Sequence, residues 1–169
     1  MVKSREVTTT ISDYIDVSKK IADLGCRYPQ GMALLPINFE SATSRGEFLQ
    51  ASESATIKKL LRAQAVPLDD IVDRSERPPY IKNKSHEWVA PIIFVSASMY
   101  AQNQMLVSVA LNVLGNYATD FFKGTHATHD VNLNIVVEKK NKTYKKISYK
   151  GPVEGLKDLS QVIQEATDD

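Results

Sequence analysis

The sequence predicts a single α+β domain on the strength of three patterns: helical periodicity over residues 103–123, a two-residue alternation over 131–137, and an apolar stripe at helical spacing over 156–166. The expected architecture is a buried central helix, a C-terminal antiparallel β-hairpin and a closing amphipathic helix. A chain of 169 residues suits one domain and buries roughly 68 to 70% of its unfolded surface at about this size.

The first pattern is an apolar helix. Asn103 can cap its start. Leu106, Val109, Ala110, Val113, Leu114, Tyr117 and Phe121 recur at helical spacing, and Lys123-Gly124 closes it. Val107, Leu111 and Phe122 occupy the other faces, as in a helix enclosed within a domain. In the second pattern Val131, Leu133, Ile135 and Val137 alternate with Asn132, Asn134 and Glu138, the period of a half-buried strand. Residues 139–142 form a polar turn, and the returning strand offers Ile147 and Tyr149 to the same inner face before Gly151-Pro152 ends it. Leu156, Leu159, Val162, Ile163 and Ala166 make the stripe of the last helix.

Upstream, Ile11, Tyr14, Ile15, Ile21 and Leu24 predict an amphipathic helix over residues 11–24, capped by Ser12 or Asp13 and stopped by Gly25. Residues 32–39 read as a strand that Pro36 either confines to a sheet edge or breaks. Ser54 caps a helix with Ile57, Leu60 and Leu61 inward and Lys58, Lys59 and Arg62 toward water, and Pro67 opens a second short helix over 67–72. The charged stretch 73–84, with Pro78-Pro79, is a surface loop. Ile92-Ile93-Phe94-Val95 fits either a buried strand or the start of a helix. The chain thus divides into a helical N-terminal part, about 1–84, and an α-β-β-α core, about 88–169.

From residue 88 to residue 119 there is no Asp, Glu, Lys or Arg. A transmembrane helix needs about 20 predominantly apolar residues. Here Gln102-Asn103-Gln104 cuts the run, and Ser108, Asn112, Gly115 and Asn116 interrupt its second half. A buried core segment is expected, with no membrane span. Residues 1–6 lead into threonines rather than an apolar run, so no secretory signal is read. Cys26 is the only cysteine, which excludes an internal disulfide and fits a reducing cytoplasm. The expected location is cytoplasmic.

The C-terminal order of helix, strand, strand and helix, including Asn116-Tyr117-Ala118-Thr119-Asp120-Phe121-Phe122-Lys123, resembles small uncharacterised bacterial proteins associated with toxin or phage-defence effectors. The resemblance covers the last third of the chain as a pattern and implies an accessory role. It transfers no active-site residue.

Candidate sites are few. His126 and His129, with Asp130, can offer two imidazoles and a carboxylate to a divalent metal, as a small metal-dependent hydrolase would require. A polar connector accounts for the same residues, and no bound metal is expected. Asp130 and Glu138-Lys139-Lys140 have the residue types of a metal-dependent nuclease. On one strand, however, the two acids lie roughly 25 Å apart at about 3.3 Å per residue. Arg27 beside Cys26 can lower the thiol pKa, while packing after the first helix explains that cysteine equally. Lys140, Lys142 and Lys146, with Tyr144 on the outward face, have the makings of a nucleic-acid surface. Lysines that guard an exposed strand look the same. Ser108, Asn112, Gly115 and Thr119 form a small polar seam along the apolar helix, where another backbone can approach.

No Gly-x-Ser-x-Gly elbow or glycine-rich phosphate loop occurs among the seven glycines, so no cofactor is expected. With 21 Lys and Arg against 20 Asp and Glu, the overall balance argues against a dedicated nucleic-acid binder. The preferred reading is a protein-interaction module, an accessory or regulatory subunit that binds another protein, rather than an enzyme. The alternatives are a nucleic-acid module through the lysine hairpin and a hydrolase through the histidine loop. The partner and the oligomeric state have no signature in the sequence.

Overall fold

A computed structural model describes residues 7–81, 88–123 and 130–168. In chain order these form β1 (Thr8–Asp13), α1 (Val17–Asp23), β2 (Met32–Leu35), α2 (Ser54–Ala63), β3 (Trp88–Val89), β4 (Ile92–Val95), α3 (Ala97–Gln102), α4 (Met105–Phe121), β5 (Asp130–Glu138), β6 (Tyr144–Pro152) and α5 (Leu159–Thr167). Short 3-10 turns lie at Arg45–Glu47, Arg74–Glu76 and Val153–Asp158. The fold is therefore α+β, with one mixed sheet in the order β1-β6-β5-β4-β2 and β3 added beside β5. β4 runs parallel to β5, and the other neighbours along the main path are antiparallel. Among the described residues, no helix is long and apolar enough to cross a membrane.

Apolar side chains cover both faces of the sheet. Ile93 and Val95 join Val131, Leu133, Ile135, Val137, Ile147 and Tyr149 beneath α2, α4 and α5. Ile92 and Phe94 face the other way, with Val136 and Tyr144, into a second cluster closed by Val17 and Ile21 of α1 and by Phe39, Phe48 and Ile71. This settles residues 92–95. A strand covered on both sides reads as a continuous apolar run, because no position along it reaches water. The uncharged stretch continues through α3 and α4. Ser96 caps α3 by accepting the Met99 N–H at 3.2 Å, and Asn103 accepts the Met105 N–H at 3.2 Å where α4 begins.

The N-terminal third departs from the sequence reading. Residues 11–24 are not one helix: Ile11 lies in β1 opposite Ile147, and α1 starts only at Val17. Pairing with the edge of β6 outweighs the helical spacing of Ile11 and Tyr14. Asp16, rather than Ser12 or Asp13, caps α1 by accepting the Lys19 N–H at 3.1 Å. The stop at Gly25 has a clear cause, for its φ is 69° and the N–H groups of Gly25 and Cys26 close on Ala22 and Ile21, a Schellman ending. Residues 67–72 form no helix. Leu68 bridges Met32, and the Asp69 carboxylate accepts the N–H groups of Gln30 and Gly31 at 2.7 and 3.0 Å, which holds this stretch extended. β1 and β2 belong to the same sheet as β4, β5 and β6, so the described N-terminal residues contribute strands as well as helices.

Two helical faces are also rotated from expectation. In α4 the buried line is Val107, Ala110, Leu111, Leu114 and Ala118, whereas Phe121 is 43% exposed. In α2 Leu60 is exposed and Ser54 is buried beside Ile57 and Leu61. Each helix meets the sheet along the line that fits its neighbours, and an apolar residue flanking that line stays partly in water.

Candidate functional site

Strand β2 is the outer strand of the sheet on one side. The Met32 N–H donates to the Pro67 carbonyl at 3.3 Å, and the Met32 carbonyl accepts from Asp69 at 2.9 Å, so both its peptide groups point away from β4. Successive residues of a strand present their peptide groups to opposite sides. Leu34 therefore also turns its N–H and C=O outward. The bridge from Met32 to Leu68 is isolated, and the chain beyond it diverges from β2. Pro36, with no N–H to donate, ends the open edge.

The divergence opens a cleft of about 290 Å³. Leu34, Leu35 and Pro36 form one wall with Ile71 and Val72, α2 supplies Ser54, Ala55, Lys58, Lys59 and Arg62, and the following loop supplies Arg74, Arg77 and Tyr80. Gln50 holds that loop in place. It exchanges backbone bonds with Pro79 and Ile81 at 2.9 Å each, and its buried side-chain amide donates to the Pro78 carbonyl at 2.6 Å.

Among the described residues, five cations line this cleft against two carboxylates, Asp70 and Asp73. Both acids are already engaged. Lys58 lies 2.8 Å and Arg62 3.5 Å from Asp70, and Arg27 lies 3.0 Å from Asp73. Burial works to raise the Asp70 pKa, but the two cations outweigh it and hold the carboxyl below its usual range. Lys59, Arg74 and Arg77 have no ion pair among the described residues. The site thus combines an apolar wall, an outward pair of peptide groups and positive charge that has no ion pair among the described residues, which suits an extended anionic ligand.

A second polar cluster sits at the carboxyl ends of β4 and β5. Glu138 accepts the Ala97 N–H at 2.9 Å and the hydroxyls of Tyr28 and Tyr144, while those two hydroxyls lie 2.9 Å apart. Burial, followed by the bond to Glu138, pushes the Tyr28 phenol far above its ordinary value. Every oxygen here is occupied by a neighbour on another element, so the cluster fastens the 26–31 loop, α3 and the hairpin together.

This arrangement corrects the reading of the lysine hairpin. Tyr144 does lie on the face opposite Ile147, but α1 and the 26–31 loop cover that face and leave it only 3% exposed, beside Phe94. It cannot stack a base from solvent. Lys139 is 7% exposed, Lys145 lies 2.5 Å from Asp13, and Lys146 sits 5.9 Å above the Tyr14 ring. Lys140 and Lys142 stand exposed on the turn. The polar seam of α4 faces inward at two positions. Ser108 lies 3.1 Å from the Ser160 hydroxyl, and a Cβ on Gly115 would meet Leu156 and Val153 at 3.9 Å. Asn112 and Thr119 are exposed, with the Thr119 hydroxyl turned back to the Gly115 carbonyl at 2.9 Å.

His126 and His129, with the third histidine His86, lie outside the described residues. Among the described residues, no three His, Cys, Asp or Glu side chains cluster as metal ligands would. Asp130 and Glu138 occupy opposite ends of β5. Burial raises the Cys26 thiol pKa despite the opposing charge of Arg45, the reverse of an activated thiol.

The cleft was missed in the sequence because its parts come from separate stretches. Lys58, Lys59 and Arg62 read as the wet face of a helix, and Arg74, Arg77 and Tyr80 as an unremarkable loop. The available signal was Pro36 at the end of an edge strand, since such an edge is a docking line unless something covers it. No protein family, curated protein or solved structure matches this chain.

Proposed function

We propose that the chain is a protein-interaction module, an accessory or regulatory subunit, and that it takes an extended acidic segment of a partner protein into the cleft beside β2. One observation carries this reading: the outward peptide groups of Leu34 lie in the same cleft as Lys59, Arg74 and Arg77. Strand addition draws affinity from main-chain bonds and specificity from flanking side chains. Here the flanking side chains select for negative charge. Pro36 limits the added strand to a short one, so the cations must supply much of the recognition.

The test is fluorescence anisotropy of a short labelled peptide alternating Glu with Val, titrated with the protein. Binding is expected to weaken as salt rises, since exposed charges are screened within about 10 Å at 0.1 M ionic strength. A Lys59→Glu, Arg77→Glu variant is expected to lose at least roughly tenfold in affinity, about 1.4 kcal/mol, with its thermal midpoint unchanged because both side chains are exposed. A peptide that does not bind, or that binds the variant equally well, refutes the proposal.

A further inference from the structure

Resting on that reading of the cleft, we propose that the segment it selects carries a phosphoserine or phosphothreonine, so that phosphorylation of the partner controls the interaction. A single carboxylate brings one negative charge. The cleft presents three cations unpaired among the described residues, drawn from two separate stretches: Lys59 from α2, and Arg74 and Arg77 from the loop that Gln50 anchors. A phosphate monoester carries about −1.5 to −2 at neutral pH, with three acceptor oxygens. It matches both the number of cations and their kind, because planar guanidinium groups bond phosphate through two parallel N–H donors. Asp70 and Asp73 would oppose a dianion if they were bare. Lys58, Arg62 and Arg27 already neutralise them, so the attraction of the remaining cations is not cancelled.

A phosphorylated peptide is favoured over a free nucleotide by the outward N–H and C=O of Leu34. These give an extended main chain its register beside the cations, whereas a nucleotide has no use for them. Among the described residues no histidine lines the cleft, and the wall from β2 contributes no charge. Among the described groups that would meet at the cleft, the one that titrates between neutral and mildly acidic pH is the phosphate itself, whose second pKa is about 6.

The experiment is isothermal titration with one peptide sequence in three forms: serine, glutamate and phosphoserine at the same position. The phosphoserine form is expected to bind at least about tenfold tighter than the serine form and several-fold tighter than the glutamate form. That advantage should shrink as pH is lowered from about 7.5 to about 5.5, where the phosphate gains a proton. Arg77→Lys keeps the charge and removes the fork, so it should reduce the phosphoserine preference while leaving glutamate binding nearly intact. If glutamate and phosphoserine forms bind equally, the phosphate inference falls and the acidic-segment reading stands. If neither binds, both fall. Displacement of the phosphopeptide by lower concentrations of a single-stranded oligonucleotide would overturn the inference in favour of a nucleic-acid ligand.

Discussion

Tyr117 on α4 directs its phenol to the Glu53 carboxylate at the start of α2. Burial, and then that hydrogen bond, pushes its pKa up to about 12. In an unfolded chain tyrosine ionises near pH 10. Between about 10 and about 12 the unfolded state therefore sheds a proton that the folded state keeps, so the stabilisation, complete below pH 10, is lost as pH climbs toward 12. Tyr14, Tyr28, Tyr144 and Tyr149 are raised in the same direction, each chiefly by burial. Urea midpoints followed by circular dichroism are expected to fall across this window, and Tyr117→Phe should make the fall shallower. An equal slope in the variant would place the alkaline loss on other residues. Individual roles of this kind were largely hidden in the sequence. The parity of Tyr144 puts it on the face opposite Ile147, but its burial depends on a layer formed by residues more than a hundred positions earlier.

Legibility improves for elements whose pattern is settled by their own side chains. The alternation of Val131, Leu133, Ile135 and Val137 lies on one buried face, because a period of two admits few other arrangements. Pro36 follows the last residue of β2, as its missing N–H demands. Residues 11–24 were misread because Ile11, Tyr14 and Ile15 satisfy a helical spacing by coincidence, and the strand that claims Ile11 comes from far along the chain. Ser96 joins the start of α3 to the 26–31 loop. Its hydroxyl accepts the Met99 N–H at the start of α3 and donates to the Gln30 carbonyl at 2.8 Å, in a residue only 2% exposed. Ser96→Ala is expected to cost about 1 to 2 kcal/mol, with loss of the cap and loss of the shorter of the two hydroxyl bonds to the Gln30 carbonyl, which keeps Ser98 at 3.2 Å, both contributing. Equilibrium urea unfolding measures it, and a loss below about 0.5 kcal/mol would mean that the bonds to Ser96 are easily replaced.

For the whole molecule, the decisive information is non-local. β2 has its strand partner in β4, and β1 has its partner in β6. Residues 32–39 show a strand without showing its partner, and residues 11–13 read as the start of a helix, which is why the first 84 residues read as mainly helical. The topology makes a direct prediction about fragments. Residues 1–84 expressed alone should show no cooperative thermal transition, since β1 and β2 would lack their ladders and Val17, Ile21, Phe39 and Phe48 would lose the sheet face formed by Phe94, Val136 and Tyr144. Addition of residues 88–169 should restore the transition. A cooperative melt of the shorter fragment by itself would show that this part folds independently. The same non-locality explains why the cleft escaped sequence reading, for it exists only once β2, α2 and the 70–80 stretch have been brought together.

The pairing of the first strand with the last has a mechanical consequence. Thr8 lies opposite Lys150 and Asp13 opposite Lys145, so the chain enters β1 at the same end of the ladder at which it leaves β6. Tension applied through residues 7 and 153 loads the Thr8 pair first and the remaining pairs in sequence, as a zipper opens, instead of shearing all of them together. β1 is exposed along its whole length, so little buried surface resists the peel. A motor pulling on that end would strip β1 away at low force and meet the enclosed strands only afterwards.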